Sequence, residues 1–294
     1  MTALRPLFGR RRSYGSHAVV TGAGSGIGKA FALELGRRGG QVVCADIDKA
    51  RSEATAAEIT AGGERALAAG CDVADLDEVV ARSERAGRWF DGAVDVVVNN
   101  AGVGIGGRPV GAERMEDWRW ALGVNLWGVI HGCHVFAPQI RATGSGGIIN
   151  VASAASFAAA PGMAAYSVSK AGVLALSETI SAEMAGTGVQ VTVLCPTFVK
   201  TNIARDGRID ASAASLADTM MRWTGWSAPR VARAALDAFD RGRLYALPQP
   251  DTRLVWDAKR HLPNSYSKGL GLVHRLTGSG MPAPDAVQPP GGRA

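Results

Sequence analysis

One glycine-punctuated turn constrains this chain more than any other feature. His17-Ala18-Val19-Val20-Thr21 reads as a buried β-strand, and Gly22-Ala23-Gly24-Ser25-Gly26-Ile27-Gly28 follows it. A helical pattern then begins, with Ile27, Ala30, Phe31, Leu33 and Leu35 as its apolar positions. Glycines at a strand-to-helix turn allow unusual dihedrals and close approach of a ligand, and the helix N-terminus offers free N–H groups to a pyrophosphate. The spacing Gly22-x-x-x-Gly26-x-Gly28 is one residue wider than the commoner dinucleotide fingerprint.

The chain repeats that strand-helix alternation. Strands are expected near 17–21, 41–45, 66–70, 94–98, 147–151, 190–194 and 243–247, with helical patterns between them. Right-handed crossovers then predict one α/β domain of Rossmann type, doubly wound. Its seven-stranded parallel sheet should run in the order 3-2-1-4-5-6-7 with helices on both faces. An apolar content of 47% suffices for such a core. The expected division is a basic N-terminal arm at 1–14, a catalytic domain at 15–250 with a substrate lid at 203–227, and an extension at 251–294. That extension is expected to be disordered from about residue 277, where Pro and Gly accumulate.

A second apolar run, Gln41-Val42-Val43-Cys44-Ala45, ends in Asp46, twenty residues after Gly26. A dinucleotide fold places there the carboxylate that accepts hydrogen bonds from the adenosine ribose. Such a carboxylate repels a 2′-phosphate. The next residue is Ile47, Ser25 in the glycine loop is not basic, and Lys29 and Lys49 are the nearby cations. NAD is therefore expected over NADP, while a solvated turn residue is the bland reading of Asp46.

Tyr166 and Lys170 stand four apart, so on a helix they share a face. A free tyrosine titrates near ~10. A neighbouring ammonium should lower that value and turn the phenol into a proton shuttle. Ser153, thirteen positions upstream of Tyr166, offers a hydroxyl for a substrate oxygen, with Ser156 as its rival.

These residues together resemble the short-chain dehydrogenase/reductase family over roughly residues 15 to 250. The likeness rests on Thr21-Gly22-x-x-x-Gly26-x-Gly28, Asp72-Val73, Asn99-Asn100-Ala101-Gly102, Asn125, Ser153, Tyr166-x-x-x-Lys170 and Pro196. The resemblance implies an oxidoreductase moving a hydride between NAD(H) and a hydrophobic secondary alcohol or ketone. Tyr166 would be general acid or base, and Lys170 would depress its pKa and bind the nicotinamide ribose. Ser153 would orient the substrate oxygen, and Asn125 would hold a relay water. It implies cofactor contacts at Gly22, Ser25, Gly26, Ile27, Gly28, Asp46 and Ile47, with Asp72 and Val73 at the adenine. Further contacts are implied at Asn99, Ala101, Gly102, Tyr166, Lys170, Pro196, Val199 and Thr201, the last at the carboxamide. Two departures stand out: Thr197 where the family commonly has Gly after Pro196, and Ala154 where many relatives repeat a serine. An NADPH-dependent ketone or 3-oxoacyl reductase is the alternative, and a non-catalytic dinucleotide sensor a third reading.

The lid segment carries Leu216, Met220, Met221, Trp223 and Trp226. Phe157, Met163, Phe198, Met220 and Trp223 are the expected substrate pocket, whose lining suits a hydrophobic alcohol or ketone. His131 and His134 beside Cys133 are expected to be structural, with no metal. Four cysteines without paired spacing read as reduced thiols of a cytoplasmic protein. No apolar stretch reaches the ~18 residues of a membrane span. Of the net charge of +6, residues 1–14 supply +4 and residues 251–294 supply +3, leaving the body at −1. The basic excess is thus terminal, and no nucleic acid partner is expected. The apolar and basic residues of 251–276 are expected to pack on the same or a neighbouring subunit, with peripheral membrane contact as the alternative. A homodimer or homotetramer is expected.

Overall fold

The computed structural model describes residues 11–203 and 206–276. Seven strands form one sheet: β1 (His17–Thr21), β2 (Gln41–Asp46), β3 (Ala66–Gly70), β4 (Val96–Asn99), β5 (Gly147–Val151), β6 (Gln190–Leu194) and β7 (Tyr245–Ala246). Every pairing is parallel, and the order is 3-2-1-4-5-6-7, as expected. The central strands are near-continuous runs of Val, Ile and Ala because both faces are covered. Alternation sends Val19, Val43 and Val97 to one core and Val20, Val42 and Val98 to the other. Just before β4 the Asp95 carboxylate takes the His17 N–H at 3.0 Å.

Helices α1 (Gly26–Arg37) and α2 (Lys49–Ala61) pack on one face; α3 (Leu76–Phe90) packs on the other. Helix α4 (Met115–Leu122) runs through a π-helical turn at Gly123–Trp127 into α5 (Gly128–Thr143). A short α6 (Ala155–Ala158) precedes the long α7 (Ala164–Glu183). Helix α8 (Ala211–Trp223) occupies the expected lid, and α9 (Ala228–Asp240) returns to the first face. Two-residue ladders outside the sheet stitch the lid down: Ile105–Gly106 with Arg208–Ile209, and Val199–Lys200 with Trp226–Ser227.

Both ends of the described chain dock on the body. Residues 11–14, the described part of the expected basic arm, are anchored. Ser13 is fully buried, and its N–H and hydroxyl donate to Asp240 at 2.9 and 2.7 Å. Arg38, also buried, donates to the Ser13 hydroxyl and pairs with Glu34, Asp237 and Asp240 at 3.0, 2.8 and 3.1 Å. The rest of the expected arm, residues 1–10, lies outside the described residues. At the other end α10 (Pro250–His261) and α11 (Pro263–Leu276) each start on a proline, whose missing N–H costs nothing in a first turn. Trp256 of α10 meets Phe157 edge-on and Tyr245 at a tilt, both with centroids 5.0 Å apart. The Tyr266 hydroxyl of α11 donates to the Ala158 carbonyl at 3.1 Å. Through these contacts α10 and α11 pack on their own subunit, while the segment from 277 lies outside the described residues. All four cysteines are buried and unpaired. Among the described residues no helix is long and apolar enough to cross a membrane.

Candidate active site

Tyr166 and Lys170 lie in the first two turns of α7, and Ser153 stands just past the end of β5. The Ser153 hydroxyl accepts the Ala155 N–H at 3.2 Å and lies close enough to the Tyr166 phenol to pull its pKa down. Ser156 is engaged elsewhere, donating to the Lys170 carbonyl at 2.8 Å, so Ser153 is the serine that meets the phenol. Lys170 is 3% exposed, its Nζ donating to the Val151 carbonyl at 3.0 Å and lying 5.9 Å from the Tyr166 ring centre. Burial lowers its pKa to about 8. The expected lowering of the Tyr166 pKa is not what the geometry gives. Burial raises it, and the hydrogen bond from Ser153 offsets that only in part. At 5.9 Å from the ring the ammonium is too far to outweigh desolvation of the phenolate.

Asn125 sits in the π-helical turn, fully buried. Its Oδ1 accepts from Val103 N at 2.7 Å, and its Nδ2 donates to the Val103 carbonyl at 2.9 Å and to Ser169 Oγ at 3.4 Å. Both amide hydrogens and one lone pair are therefore taken, so the side chain chiefly clamps the loop after β4. A Cβ on Gly102 would lie 3.1 Å from Asn125 Oδ1 and 3.4 Å from Lys170 Nζ, which places this glycine between them.

The dinucleotide side is shaped by absent side chains. Gly22 and Gly26 have φ of +65° and +54°, and a Cβ on Gly28 would stand 2.0 Å from the Gly22 carbonyl oxygen. Ser25 precedes α1 with no side-chain cap, leaving the N–H groups of Gly26, Ile27 and Gly28 at an open helix start. Thr201 lies over that start, its Cγ2 3.1 Å from where a Gly26 Cβ would be. Asp46 is held by Gly24 N at 2.8 Å and Asp48 N at 2.9 Å, one per carboxylate oxygen, each of which keeps capacity for a ribose hydroxyl. Ile47, 75% exposed, is an apolar surface beside it. Asp72 accepts Ala74 N at 2.9 Å, and the Val73 carbonyl bonds His131 Nδ1 at 2.9 Å. The residues thus fit a dinucleotide: a cradle without Cβ atoms, a helix start for the pyrophosphate, and a fixed carboxylate for a ribose.

Some expected residues are not brought to the cleft. The Asn99 side chain points inward, donating to Asn150 Oδ1 at 2.9 Å. Its neighbour Asn100 does the positioning, donating to the Thr21 carbonyl at 2.9 Å and sharing Thr21 Oγ1 with Ala101 N. Pro196 holds the segment that carries Ser153 by its carbonyl, which accepts Ala154 N at 2.8 Å, and Val199 is buried in its ladder. Of the pocket, Met163 lies against Gly106 and Phe198 is half-buried. Phe157 is covered by Trp256 and so is not open lining. Trp223 is 86% exposed, because the phase of α8 turns Met221 inward and Trp223 outward, with Met220 between. Thr197 adopts no left-handed backbone, so the missing glycine leaves no strain. His134 is exposed, and no His/Cys/Asp/Glu group among the described residues is placed to hold a metal ion.

Three further features were not read from the sequence. Arg51 in the first turn of α2 lies against Gly24, its guanidinium on Asp48 at 3.1 Å and Asp206 at 3.5 Å. Lys29 and Lys49 pair instead with Glu58 and Glu53, at 2.8 and 3.3 Å. The lid is tied by Arg108 to Asp210 at 3.0 Å and by Arg208 to Asp117 at 2.6 Å, around a charged cavity of about 460 Å³. The signal for Arg51 was its place in the first turn of the helix that follows Asp46. The lid pairs join residues about a hundred apart and left none.

Residues 16–211 match the family described as short chain dehydrogenase. Probable oxidoreductase EphD of Mycobacterium tuberculosis is 35% identical over 275 residues, covering 89% of this chain, and this chain spans about half (46%) of its length. The 1-deoxy-11-beta-hydroxypentalenate dehydrogenase of Streptomyces exfoliatus is 36% identical over 241 residues, covering 81% of this chain and 84% of the relative. A short chain dehydrogenase/reductase from Burkholderia phymatum, crystallised in complex with NAD, superposes with a TM-score of 0.78 at 33% identity, covering 85% of this chain and 95% of that one.

Proposed function

We propose that this chain, which belongs to the short-chain dehydrogenase/reductase family, is an oxidoreductase of CH–OH groups that works with NAD(H) on hydrophobic secondary alcohols and their ketones. The observation that carries this reading is the convergence of Ser153, Tyr166 and Lys170 beside Gly102, across from the glycine turn. Bound there, the nicotinamide would accept or supply the hydride. The protein's own part is proton transfer and orientation. In reduction the Tyr166 phenol donates its proton to the carbonyl oxygen while the Ser153 hydroxyl binds the same oxygen. Burial keeps that phenol protonated, which suits the acid role. In oxidation the phenol must lose its proton, and the buried Lys170 charge is the group that favours this.

Asp46 supports NAD: a carboxylate fixed by two backbone N–H groups repels a 2′-phosphate. Arg51, beside Gly24, is the observation that favours the NADPH alternative, although both its ion pairs go to acids. A sensor without activity is disfavoured by the complete set Asn125, Ser153, Tyr166 and Lys170. The half-buried Met163, Phe198 and Met220 support a hydrophobic substrate. Four buried unpaired thiols support a reducing, cytoplasmic setting, and family resemblance supports a homodimer or homotetramer.

The test is a panel of secondary alcohols and ketones followed by NADH absorbance, with initial rates compared for both cofactors. Turnover with NAD(H) ahead of NADP(H) is expected. A large NADPH preference would overturn the role given to Asp46.

A further inference from the structure

The ladder between β6 and β7 has one rung more than the two strands supply. Val193 N donates to the Leu244 carbonyl at 2.7 Å, and Cys195 N to the Ala246 carbonyl at 3.0 Å. In a parallel pair the next rung would run from Thr197 N to residue 248. The chain has turned away at Pro248, and the side chain of Gln249 takes that place. Its Oε1 accepts Thr197 N at 3.2 Å, and its Nε2 donates to the Phe198 carbonyl at 2.9 Å. Gln249 is 1% exposed, one of the largest fully buried side chains in the molecule.

The peptide it grips lies in the middle of the loop that joins the two halves of the site. At one end Pro196 holds Ala154, next to Ser153. At the other end Thr201 closes over Gly26 at the start of α1. Thr197 stands where the family commonly has a glycine, and its N–H is the group that Gln249 satisfies.

We propose that Gln249 is a positioning residue for cofactor binding: its side-chain amide extends the sheet by one rung and fixes the loop 196–201 against the dinucleotide cleft. This rests on the dinucleotide reading above. Gln249 is the residue just before α10, so the contact ties the start of that helix to the loop beside the cleft.

Gln249→Met keeps the buried volume and removes both hydrogen bonds. Thr252→Val, in the helix that begins just after Gln249, is the control, because the buried Thr252 hydroxyl has no hydrogen-bond partner to lose. Two measurements decide: amide hydrogen exchange of the ligand-free protein, and NADH affinity by fluorescence titration. In Gln249→Met the Thr197 amide should lose protection while that of Val19, in the central strand, keeps it. NADH should bind about five- to tenfold more weakly, the scale of one or two hydrogen bonds. Thr252→Val should match the parent in both. Unchanged Thr197 protection with NADH affinity within about twofold of the parent would overturn the proposal, as would an equal loss in Thr252→Val. A parent that binds neither NADH nor NADPH sinks the cofactor reading, and this proposal with it.

Discussion

Lys170 carries its ammonium into the interior with a carbonyl as its hydrogen-bond partner and, among the described ion pairs, no carboxylate. Burial lowers its pKa from the ordinary lysine value of 10.5 to about 8. The unfolded chain therefore binds the proton more tightly, and the charge costs stability in full below about pH 8. Between about 8 and 10.5 the folded state sheds the proton first, and the cost fades as pH rises. Lys170→Met should thus be inactive yet more stable than the parent at pH 7, with the gap in denaturant midpoint closing towards pH 10. A less stable variant at pH 7 would mean that packing around Nζ outweighs desolvation. The residues of this site differ in how far the sequence discloses them. Tyr166 and Lys170 were legible because helical spacing alone brings them together. Asn99 and Asn100 were not separable: at a strand end, adjacent side chains go to opposite sides, and only the packed structure shows which one enters the core.

Among the elements, the lid is the one whose placement depends on exposed charge. Arg208 and Arg108 are roughly half exposed at 50% and 42%, and their pairs with Asp117 and Asp210 flank the short ladder from Ile105 to Ile209. Pairs of this kind are worth about 0.2–1 kcal/mol and are screened by salt. Arg208→Ala should therefore raise KM for the best alcohol of the panel by about two- to fivefold at low salt. The effect should shrink at high salt, and NADH affinity should not change. A loss of NADH affinity of the same size would show that the pair serves the cofactor cleft instead. The existence of α8 follows from the apolar content of the segment, but its phase does not. Met221 faces in and Trp223 faces out because the body's surface decides which stripe is covered.

At the scale of the molecule, the sheet order was legible because a parallel strand-helix alternation with one crossover hand admits few arrangements. Long-range polar links were not. Ser13, Arg38, Asp237 and Asp240 meet across more than two hundred residues, and nothing local marks them. The ends of the described chain are drawn into the fold in this way: residues 11–14 dock on α1 and α9, Gln249 just before α10 holds the 196–201 loop, and Trp256 of α10 packs on Phe157. On the proposed reading, the fold holds one phenol, one hydroxyl and one ammonium beside a cleft fit for a dinucleotide. Tyr166→Phe tests that claim most directly, assayed for turnover on the best substrate and for NADH binding by fluorescence titration. Turnover should fall by about a hundred- to ten-thousandfold, the range of a lost general acid, while NADH affinity stays within about twofold of the parent. Turnover retained by Tyr166→Phe would contradict the assignment of the proton transfer to Tyr166.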